Sequence, residues 1–406
     1  MRILIVSQYF WPENFRINDL AAGLVQRGHE VTVLTGVPNY PEGRVIPKHG
    51  PFRSETHLGI TIKRVPLIPR GNSGALRLAL NYASFAVTAS CFGPLVCRGA
   101  FDLVFVFEPS PVTVGIPAIV LKKLKRVPLF FWVQDLWPES LLATGAITSP
   151  RILSGVGKLV TLIYRYCDLI LVQSSAFIPP VHDRGVQRGR IVYFPNSVEA
   201  VYRPRPTGDN GEAPVPLPTG FRIMFAGNIG AAQDFETVLK AAERLRGYAD
   251  IHWIVLGDGR MRNWVQDEVK RLRLEESVHL LGKYPMEEIP RFLWHADALL
   301  VTLRSDSVFA LTIPGKLQSY LACGRPIVGA LDGESARIIR ESGAGVAVPA
   351  GDATALADAV LDLYQRPEAE RIELGVRGEQ YCASHFSRGS LLDQLEALMR
   401  EACRAN

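Results

Sequence analysis

The sequence predicts an α/β protein with two doubly wound domains, each a parallel sheet covered by helices on both faces. Short, wholly apolar runs alternate with helical patterns in both halves, which is typical of buried parallel strands. A stretch rich in Pro and Gly at 203–220 separates the two series and has no periodicity, so we predict a linker there. The 406 residues suffice for two domains of about 200 residues each.

The N-terminal domain is predicted to span residues 1–202. Short runs of apolar, often β-branched residues predict its strands, at 3–7, 31–35, 103–107, 129–133, 169–172 and 191–194. Helical spacing of apolar residues predicts helices between them, at 17–27 and 112–125.

The C-terminal domain is predicted to span residues 221–374 and repeats the pattern. The predicted strands are 222–226, 252–256, 277–280, 298–302 and 326–330, and the predicted helices are 236–246, 262–272, 288–294 and 315–322. A helical tail at 375–406 is expected to pack back toward the N-terminal domain. Ligands of such sheets bind at the carboxyl ends of the strands, so we expect a site in a cleft that both domains face.

The composition is that of a soluble globular protein, with 48% hydrophobic and 21% charged residues. Six cysteines are present and none forms a CxxC pair, as expected for reduced thiols in the cytoplasm. The apolar run after Met1 is too short for a secretory signal and is predicted to be a strand. We therefore expect a cytoplasmic protein.

Positive charge is concentrated in the N-terminal half. Residues 1–200 contain 21 Lys and Arg against 12 Asp and Glu, whereas residues 201–406 contain 24 against 28. A basic half favours an anionic partner, either membrane phospholipid or nucleic acid. Because the sequence has no zinc-finger, KH or RNP pattern, we expect membrane contact and no nucleic acid.

The segment 78–97, LALNYASFAVTASCFGPLVC, is uncharged over the length of a membrane span. Asn81 and Pro94 lower its hydropathy, so a buried or surface-lying helix is the first interpretation and a span the second. Arg77 and Arg98 at its ends suit lipid headgroups as well as water.

Two glycine-rich turns follow strands of the second series, FAGNIG at 225–230 and VLGDG at 255–259. Glycine lets the backbone approach a phosphate or a ring closely, so both are candidate ligand sites, with plain tight turns as the alternative. Neither turn is GxGxxG, and the first strand lacks that motif too, so a dinucleotide site is not supported.

Lys316 occupies an unusual position, in the first turn of a predicted helix within TIPGKLQSYLACGRP. A cation beside the positive end of a helix dipole costs stability unless an anion neutralises both. A diphosphate fits, because the free amides of the helix start and the lysine would both donate to it. Lys316 is therefore predicted to bind phosphate, and a solvated lysine is the alternative.

Motifs in both halves resemble family 4 glycosyltransferases, which have the GT-B fold. The C-terminal motifs are the two glycine turns, LGKY at 281–284, the Lys316 helix through GRP at 324–326 and GVAVPAGD at 345–352. Residues 1–45 and FFWVQDLWPESL at 130–141 resemble the subgroup that builds bacterial surface polysaccharides such as O-antigen and colanic acid. Within that subgroup, the fucosyl- and N-acetylfucosaminyl-transferases are the most similar type.

The resemblance implies that the C-terminal domain binds a nucleoside-diphosphate sugar. The family's paired glutamates, eight residues apart, fall at Leu311 and Ser319, so both carboxylates are missing. Two loop positions that carry basic side chains in the family are neutral here, which leaves Lys316 as the best-placed cation for the leaving diphosphate. Besides Lys316, the candidate donor-binding residues are Gly227, Asn228, Gln233, Gly257, Asp258, Gly259, Lys283, Arg304, Ser319 and Glu334.

The resemblance places the acceptor in the N-terminal domain. Gln134 and Asp135 end a strand where the family often has His-Asp. Asp135 is predicted to orient the acceptor hydroxyl or take its proton, and a helix cap is the alternative. Further candidate acceptor contacts follow other strands, at Glu13, Asn14, Arg16 and Glu108.

The expected activity is sugar transfer to a lipid-linked saccharide, with undecaprenyl diphosphate as the expected carrier. The resemblance implies retention at the anomeric carbon and neither an obligatory metal nor another cofactor. We expect the protein on the inner face of the cytoplasmic membrane, in peripheral contact with anionic lipid. Two alternatives stay open. One is an isomerase of the same fold that acts on the nucleotide sugar alone. The other is a non-catalytic protein that binds sugar nucleotides, which the missing glutamates favour.

Overall fold

The computed structural model describes residues 1–71, 74–206, 208 and 211–404. The chain divides into two compact units. Unit 1 comprises Met1–Asn196 together with Gly389–Asn406, and unit 2 comprises Ser197–Arg388. The chain therefore leaves unit 1 after Asn196 and returns to it after Arg388.

Unit 1 contains an eight-stranded sheet. Its strands are β1 (Arg2–Val6), β2 (Glu30–Gly36), β3 (Ser54–His57), β4 (Ile60–Val65), β5 (Leu103–Glu108), β6 (Leu129–Val133), β7 (Leu169–Val172) and β8 (Ile191–Tyr193). They are ordered β3-β4-β2-β1-β5-β6-β7-β8, and every pair is parallel except β3 with β4. The sequence did not predict β3 and β4, because neither contains a continuous apolar run.

Among the described residues, the connections of unit 1 contain six α-helices. They are α1 (Arg16–Gln26), α2 (Ala75–Val96), α3 (Gly115–Lys125), α4 (Glu139–Ala143), α5 (Pro150–Tyr166) and α6 (Ile178–Asp183). The predicted segment 78–97 thus lies in the helix α2 up to Val96. The helices α2, α3 and α5 pack side by side, α2 on α3 and α3 on α5, and so form one layer. A Cβ on Gly93 of α2 would lie 2.8 Å from Leu34 of β2, and one on Gly115 of α3 would lie 2.5 Å from Ile163 of α5.

Unit 2 contains a six-stranded sheet in which all pairs are parallel. Its strands are β9 (Phe221–Ala226), β10 (Ile251–Leu256), β11 (Val278–Gly282), β12 (Ala298–Thr302), β13 (Ile327–Ala330) and β14 (Gly345–Val348), in the order β11-β10-β9-β12-β13-β14. Its helices are α7 (Phe235–Arg244), α8 (Arg262–Arg271), α9 (Ile289–Leu293), α10 (Ser307–Leu311), α11 (Gly315–Ala322), α12 (Gly333–Ser342), α13 (Ala353–Gln365) and α14 (Glu368–His385). The predicted pair of doubly wound parallel sheets is confirmed.

The boundaries of the units differ from the predicted domain boundaries. The stretch predicted as a linker lies within unit 2, where the carbonyl of Arg203 accepts a hydrogen bond from Trp294 Nε1 at 2.8 Å. The predicted tail is two helices that belong to different units. α14 packs on α11 in unit 2, because Gly375 and Gly324 let the backbones approach closely. Only the last helix, α15 (Arg388–Arg404), belongs with unit 1.

The core of unit 1 depends on α15. Leu395 and Met399 are fully buried in one cluster with Ile3, Ile5 and Trp132. The apolar side chains of this helix therefore complete the core beside a sheet whose first strand, β1, lies at the other end of the chain.

Truncating Leu395 should destabilise unit 1 selectively. Leu395→Ala is expected to lower the free energy of unfolding of unit 1 by about 2–5 kcal/mol, since it leaves a cavity in a closed core. Hydrogen exchange should therefore quicken in β1 and stay unchanged in β9. The control Ile372→Ala removes a half-exposed side chain and should change stability by less than about 0.5 kcal/mol. Unchanged protection of β1 in Leu395→Ala would contradict this account.

Candidate functional site

In unit 2, the loop after β9 and the first turn of α11 lie side by side at the carboxyl edge of the sheet. Tyr320 of α11 joins them, because its hydroxyl accepts a hydrogen bond from the Ala226 N–H at 2.7 Å and lies 3.3 Å from the Ala226 carbonyl. Tyr320 is buried and lies one turn after Lys316 on the same helix face. The side chain that fixes α11 against β9 therefore lies next to Lys316 along the helix, a contact that the sequence analysis missed.

The ammonium of Lys316 lies against neutral groups. Its Nζ is 3.7 Å from the centre of the Phe225 ring and donates a hydrogen bond to Gln233 Oε1 at 2.5 Å. A Cβ placed on Gly227 would lie 3.4 Å from the same nitrogen. The structure thus brings together Lys316, Gln233 and Gly227, as the sequence predicts.

The charge of Lys316 has no carboxylate partner in the part of the chain that the structure describes. Burial of the amine lowers the pKa of Lys316 to about 7. The ring and the amide stabilise a cation only weakly, whereas a phosphate group would restore its charge fully. The environment of the Lys316 amine therefore favours a bound anion.

The glycines of the two turns have different roles. A Cβ on Gly257 would lie 1.8 Å from the Gly227 carbonyl, and one on Gly259 would lie 2.4 Å from the Ile229 carbonyl. Gly257 and Gly259 are therefore required where the two turns pack on each other, with the Ile229 N–H donating to the Asp258 carbonyl at 2.8 Å. The tight-turn alternative explains these two glycines. Gly227 differs from these two glycines, because a Cβ on it would meet the Lys316 amine and not the backbone of the other turn.

The other polar candidates surround the same loops. Asn228, Asp258, Lys283 and Arg304 are exposed. The Arg304 N–H donates to the Ala232 carbonyl at 3.0 Å, which ties its loop to the glycine loop. Its side chain lines a cavity of about 290 Å³ together with Trp264, an aromatic residue that the sequence analysis did not single out.

A carboxylate lies beside Ser319 although position 319 itself has none. Ser319 Oγ donates to the Gly315 carbonyl at 3.2 Å and lies 3.5 Å from Glu199 Oε2. Local sequence carries no signal for this contact, since Glu199 precedes Ser319 by 120 positions. Glu199 is therefore the carboxylate at this end of α11, whereas Leu311 ends the neighbouring helix α10.

Glu334 does not present a free carboxylate at the edge of the sheet. It lies buried in the first turn of α12, and its Oε1 accepts a hydrogen bond from Arg337 Nη2 at 2.8 Å. An acidic residue in a first helical turn is stabilised by the helix dipole, which is a sufficient reason for its presence. The geometry gives no support to a donor contact by Glu334.

In unit 1, two acidic residues meet at the carboxyl edge of the sheet. Glu108 ends β5 and is fully buried, so burial and the nearby Asp135 carboxylate raise its pKa well above the ordinary value. Asp135 follows β6, and burial raises its pKa to about 6. Burial thus disfavours the charged form of both carboxyls, and at neutral pH Asp135 is still mostly ionised. Because Glu108 has no exposed surface, its predicted direct contact with the acceptor is corrected to a buried position near Asp135.

Gln134 is oriented by a neighbour at the same edge. Its Oε1 accepts a hydrogen bond from Asn196 Nδ2 at 2.8 Å. An amide in this position can align a hydroxyl but cannot take its proton. Of the two neighbours, only Asp135 carries a group that could take a proton.

Glu13 is a loop residue with its carboxylate turned inward. It is buried, and its oxygens accept hydrogen bonds from the N–H groups of Phe10, Asn39 and Tyr40 at 3.3, 2.8 and 2.7 Å. Its predicted acceptor contact is therefore corrected to a structural role in joining two loops. Asn14 is exposed beside it, and Arg16 is the first residue of α1.

No group of three or more His, Cys, Asp or Glu side chains that could hold a metal ion occurs among the described residues.

Comparison with known proteins matches each unit to a glycosyltransferase profile. The "Glycosyl transferase 4-like domain" profile matches residues 14–197, and the "Glycosyl transferases group 1" profile matches residues 220–366. WcaI of Escherichia coli K12, named as a glycosyl transferase of colanic acid biosynthesis, is 26% identical over 80% of this chain and 82% of that protein.

Two solved structures share the fold over nearly the whole chain. Sucrose-phosphate synthase of Thermosynechococcus elongatus superposes with a TM-score of 0.73 and 16% identity, covering 100% of this chain and 99% of that one. HepE of Anabaena, solved in complex with UDP-glucose, superposes with a TM-score of 0.69 and 14% identity, covering 99% and 100%.

Binding of a diphosphate should weaken as the pH rises through about 7, because only the charged form of Lys316 attracts the anion. Calorimetry with inorganic pyrophosphate between about pH 6 and pH 9 should show up to about tenfold weaker binding per unit above pH 7. Lys316→Met is the matched control, because the pH dependence of its binding reports only the protonation of pyrophosphate. Parallel profiles for wild type and Lys316→Met would contradict the assignment.

Proposed function

Since the chain is a glycosyltransferase of the GT-B fold, we propose that it transfers a sugar from a nucleoside-diphosphate donor to a lipid-linked saccharide. The donor binds in unit 2 and the acceptor in unit 1. The two glycosyltransferase profiles favour a transferase over the isomerase and the non-catalytic binding protein that the sequence left open.

The observation that carries the donor proposal is the Lys316 ammonium, which lies against Phe225 and Gly227 without a carboxylate partner among the described residues. The diphosphate of the donor is placed there, with the start of α11 as a second source of positive potential. The complex of HepE with UDP-glucose supports a nucleotide sugar as the ligand. Glu199, beside Ser319, is the proposed carboxylate for the ribose hydroxyls.

The proposed reaction breaks the bond between the anomeric carbon and the diphosphate oxygen and forms a bond to the acceptor oxygen, with retention of configuration. Negative charge grows on the leaving diphosphate, and fixed dipoles that meet growing charge usually contribute the largest catalytic term. Lys316 and the α11 terminus supply that stabilisation, so no metal ion is required. Asp135 orients the acceptor hydroxyl or takes its proton, and Gln134 aligns the same group.

The proposed acceptor is a saccharide on undecaprenyl diphosphate, used in the synthesis of a bacterial surface polysaccharide. The similarity to WcaI supports this pathway, and a fucosyl or N-acetylfucosaminyl group is the proposed sugar. The excess of basic residues in the first half supports work at the inner face of the cytoplasmic membrane.

A panel of UDP-, GDP- and TDP-sugars tests the donor proposal. One nucleotide series should raise the melting temperature of the wild type, and Lys316→Ala should bind it about 10–100-fold more weakly. The reason is that a hydrogen bond to a charged group contributes about 1.5–3 kcal/mol. Lys270→Ala, which removes an exposed cation on α8, is the matched control and should bind normally.

The same panel, offered with a lipid-linked saccharide and a chelator, tests the reaction. Sugar transfer should proceed in the presence of the chelator and should be lost in Lys316→Ala. Equal stabilisation of wild type and Lys316→Ala by every donor would overturn the donor site. Turnover of the nucleotide sugar without acceptor would favour the isomerase.

A further inference from the structure

Exposed apolar side chains are concentrated on unit 1. Of the eighteen large hydrophobic residues with exposed side chains in the described part of the chain, fourteen lie in unit 1. Eight of these fourteen lie on the layer formed by α2, α3 and α5. Because water-exposed apolar surface of this extent is costly, this layer is a candidate interface.

Helix α2 presents one continuous apolar stripe to solvent. Exposed apolar positions recur along it every three or four residues, at Leu76, Leu80, Ala83, Val87, Cys91 and Leu95, and Arg77, Ala79 and Phe92 are exposed beside them. The side chains of Leu76, Val87 and Leu95 are 75%, 61% and 59% exposed. The opposite side of the helix is apolar too, with Phe85 and Ala89 fully buried. An apolar helix that packs on the protein along one side and exposes a second apolar side to solvent is typical of a membrane contact.

Helix α2 is long and apolar enough to cross a bilayer, and 28% of its most apolar window is buried in the protein. Tyr82 packs on Trp137 with ring centroids 6.3 Å apart, and Asn81 accepts a hydrogen bond from Gln8 at 2.7 Å. These contacts hold α2 against the sheet of unit 1. The helix therefore suits a position in the plane of an interface, with its outer stripe in the lipid.

Helix α5 contributes cations to the same layer. Arg151, Lys158 and Arg165 follow one another at intervals of seven residues, nearly two helical turns, so they share one face. No acidic residue occurs from 140 to 167, and within the described chain none of the three cations forms an ion pair. Lys158 and Arg165 line an open cavity of about 800 Å³ together with Leu153 and Leu162.

The apolar stripe and the cationic face belong to one side of unit 1. Helix α3 packs against both α2 and α5, through Leu121 beside Gly93 and through Gly115 beside Ile163. Helix α3 also carries an exposed Leu124 between Lys123 and Lys125. Uncharged apolar surface about 30 Å long, bordered by unpaired cations, complements a bilayer with anionic headgroups.

We propose that the α2–α3–α5 layer of unit 1 docks on an anionic phospholipid bilayer. The stripe of α2 lies among the acyl chains in the plane of the interface, and the cations of α5 bind lipid phosphates. This proposal deepens the proposed function and rests on it, because a lipid-linked acceptor is presented at the bilayer surface.

Vesicle partition tests the proposal with the full-length protein. The wild type should bind vesicles of phosphatidylcholine with phosphatidylglycerol, should bind pure phosphatidylcholine much more weakly, and should be released by salt. Replacing Arg151, Lys158 and Arg165 by Gln should weaken binding to the anionic vesicles about a hundredfold, at about fivefold for each cation. Replacing Leu76, Val87 and Leu95 by Ser should weaken binding to both vesicle types at least about tenfold.

Matched controls remove the same chemistry from unit 2. Lys270, Arg273 and Arg340, all exposed, are replaced by Gln, and the exposed Ile372 and Val376 are replaced by Ser. Both controls should bind vesicles like the wild type. A wild type that ignores anionic lipid, or controls that lose binding as strongly as the α2 and α5 variants, would overturn the proposal. The proposal would also be overturned if replacing Leu76, Val87 and Leu95 by Ser only converted a dimer into a monomer and left vesicle binding unchanged.

Cys91 offers a second readout that needs no disruptive substitution. It is exposed on the α2 stripe, and Cys403 is the other cysteine with appreciable exposure among those described, so Cys403→Ser leaves Cys91 as the labelling site. A polarity-sensitive dye on Cys91 should shift to the blue on anionic vesicles. An unshifted dye on bound protein would place α2 away from lipid.

The membrane test and the donor test fail independently. Stabilisation by a nucleotide sugar is measured without lipid and should be the same in the α2 and α5 variants as in the wild type. Loss of vesicle binding with normal donor binding therefore affects only the docking proposal. Loss of donor binding in the wild type affects the proposed function itself.

Discussion

The ammonium of Lys316, held against a neutral ring and a neutral amide, is the constraint on which the unit 2 site depends. Removing a cation from water costs free energy that Phe225 and Gln233 offset only in part. Tyr320 nevertheless holds the helix in place by bonding to the end of β9. The fold therefore maintains a charge whose full stabilisation waits for an anion, which is how a preorganised phosphate site differs from a surface lysine.

The two sheets carry opposite chemistry at their carboxyl edges. Unit 2 presents a cation and backbone turns, which suit a leaving diphosphate, whereas unit 1 presents Asp135 with the fully buried Glu108 near it. The Trp137 ring links the Asp135 loop to α2 through Tyr82. Within unit 1, the candidate base and the proposed lipid-facing helix are therefore structurally connected, which suits an acceptor that stays attached to its lipid.

Local chemistry predicted the parts of this structure that depend on neighbours in the sequence. Apolar runs predicted the strands of both sheets except β3, β4 and β14, and α11 begins and ends where its helical pattern indicates, at Gly315 and Ala322. Residues that depend on distant partners could not be predicted. Glu199 reaches Ser319 across 120 positions, Gly257 is required by the carbonyl of Gly227, and Glu13 binds the amides of Asn39 and Tyr40. A sequence lists such residues but does not show which backbone each one meets.

The protonation of Lys316 is the most direct test of the central claim. NMR titration of ¹⁵N-labelled lysine side chains, with Lys316→Arg to assign the signal, measures the pKa of this amine with and without UDP. We expect a value near 7 in the free protein and a rise of more than about one unit when UDP binds. A value near 10.5 in both states would contradict the account, because the amine would then be an ordinary solvated lysine.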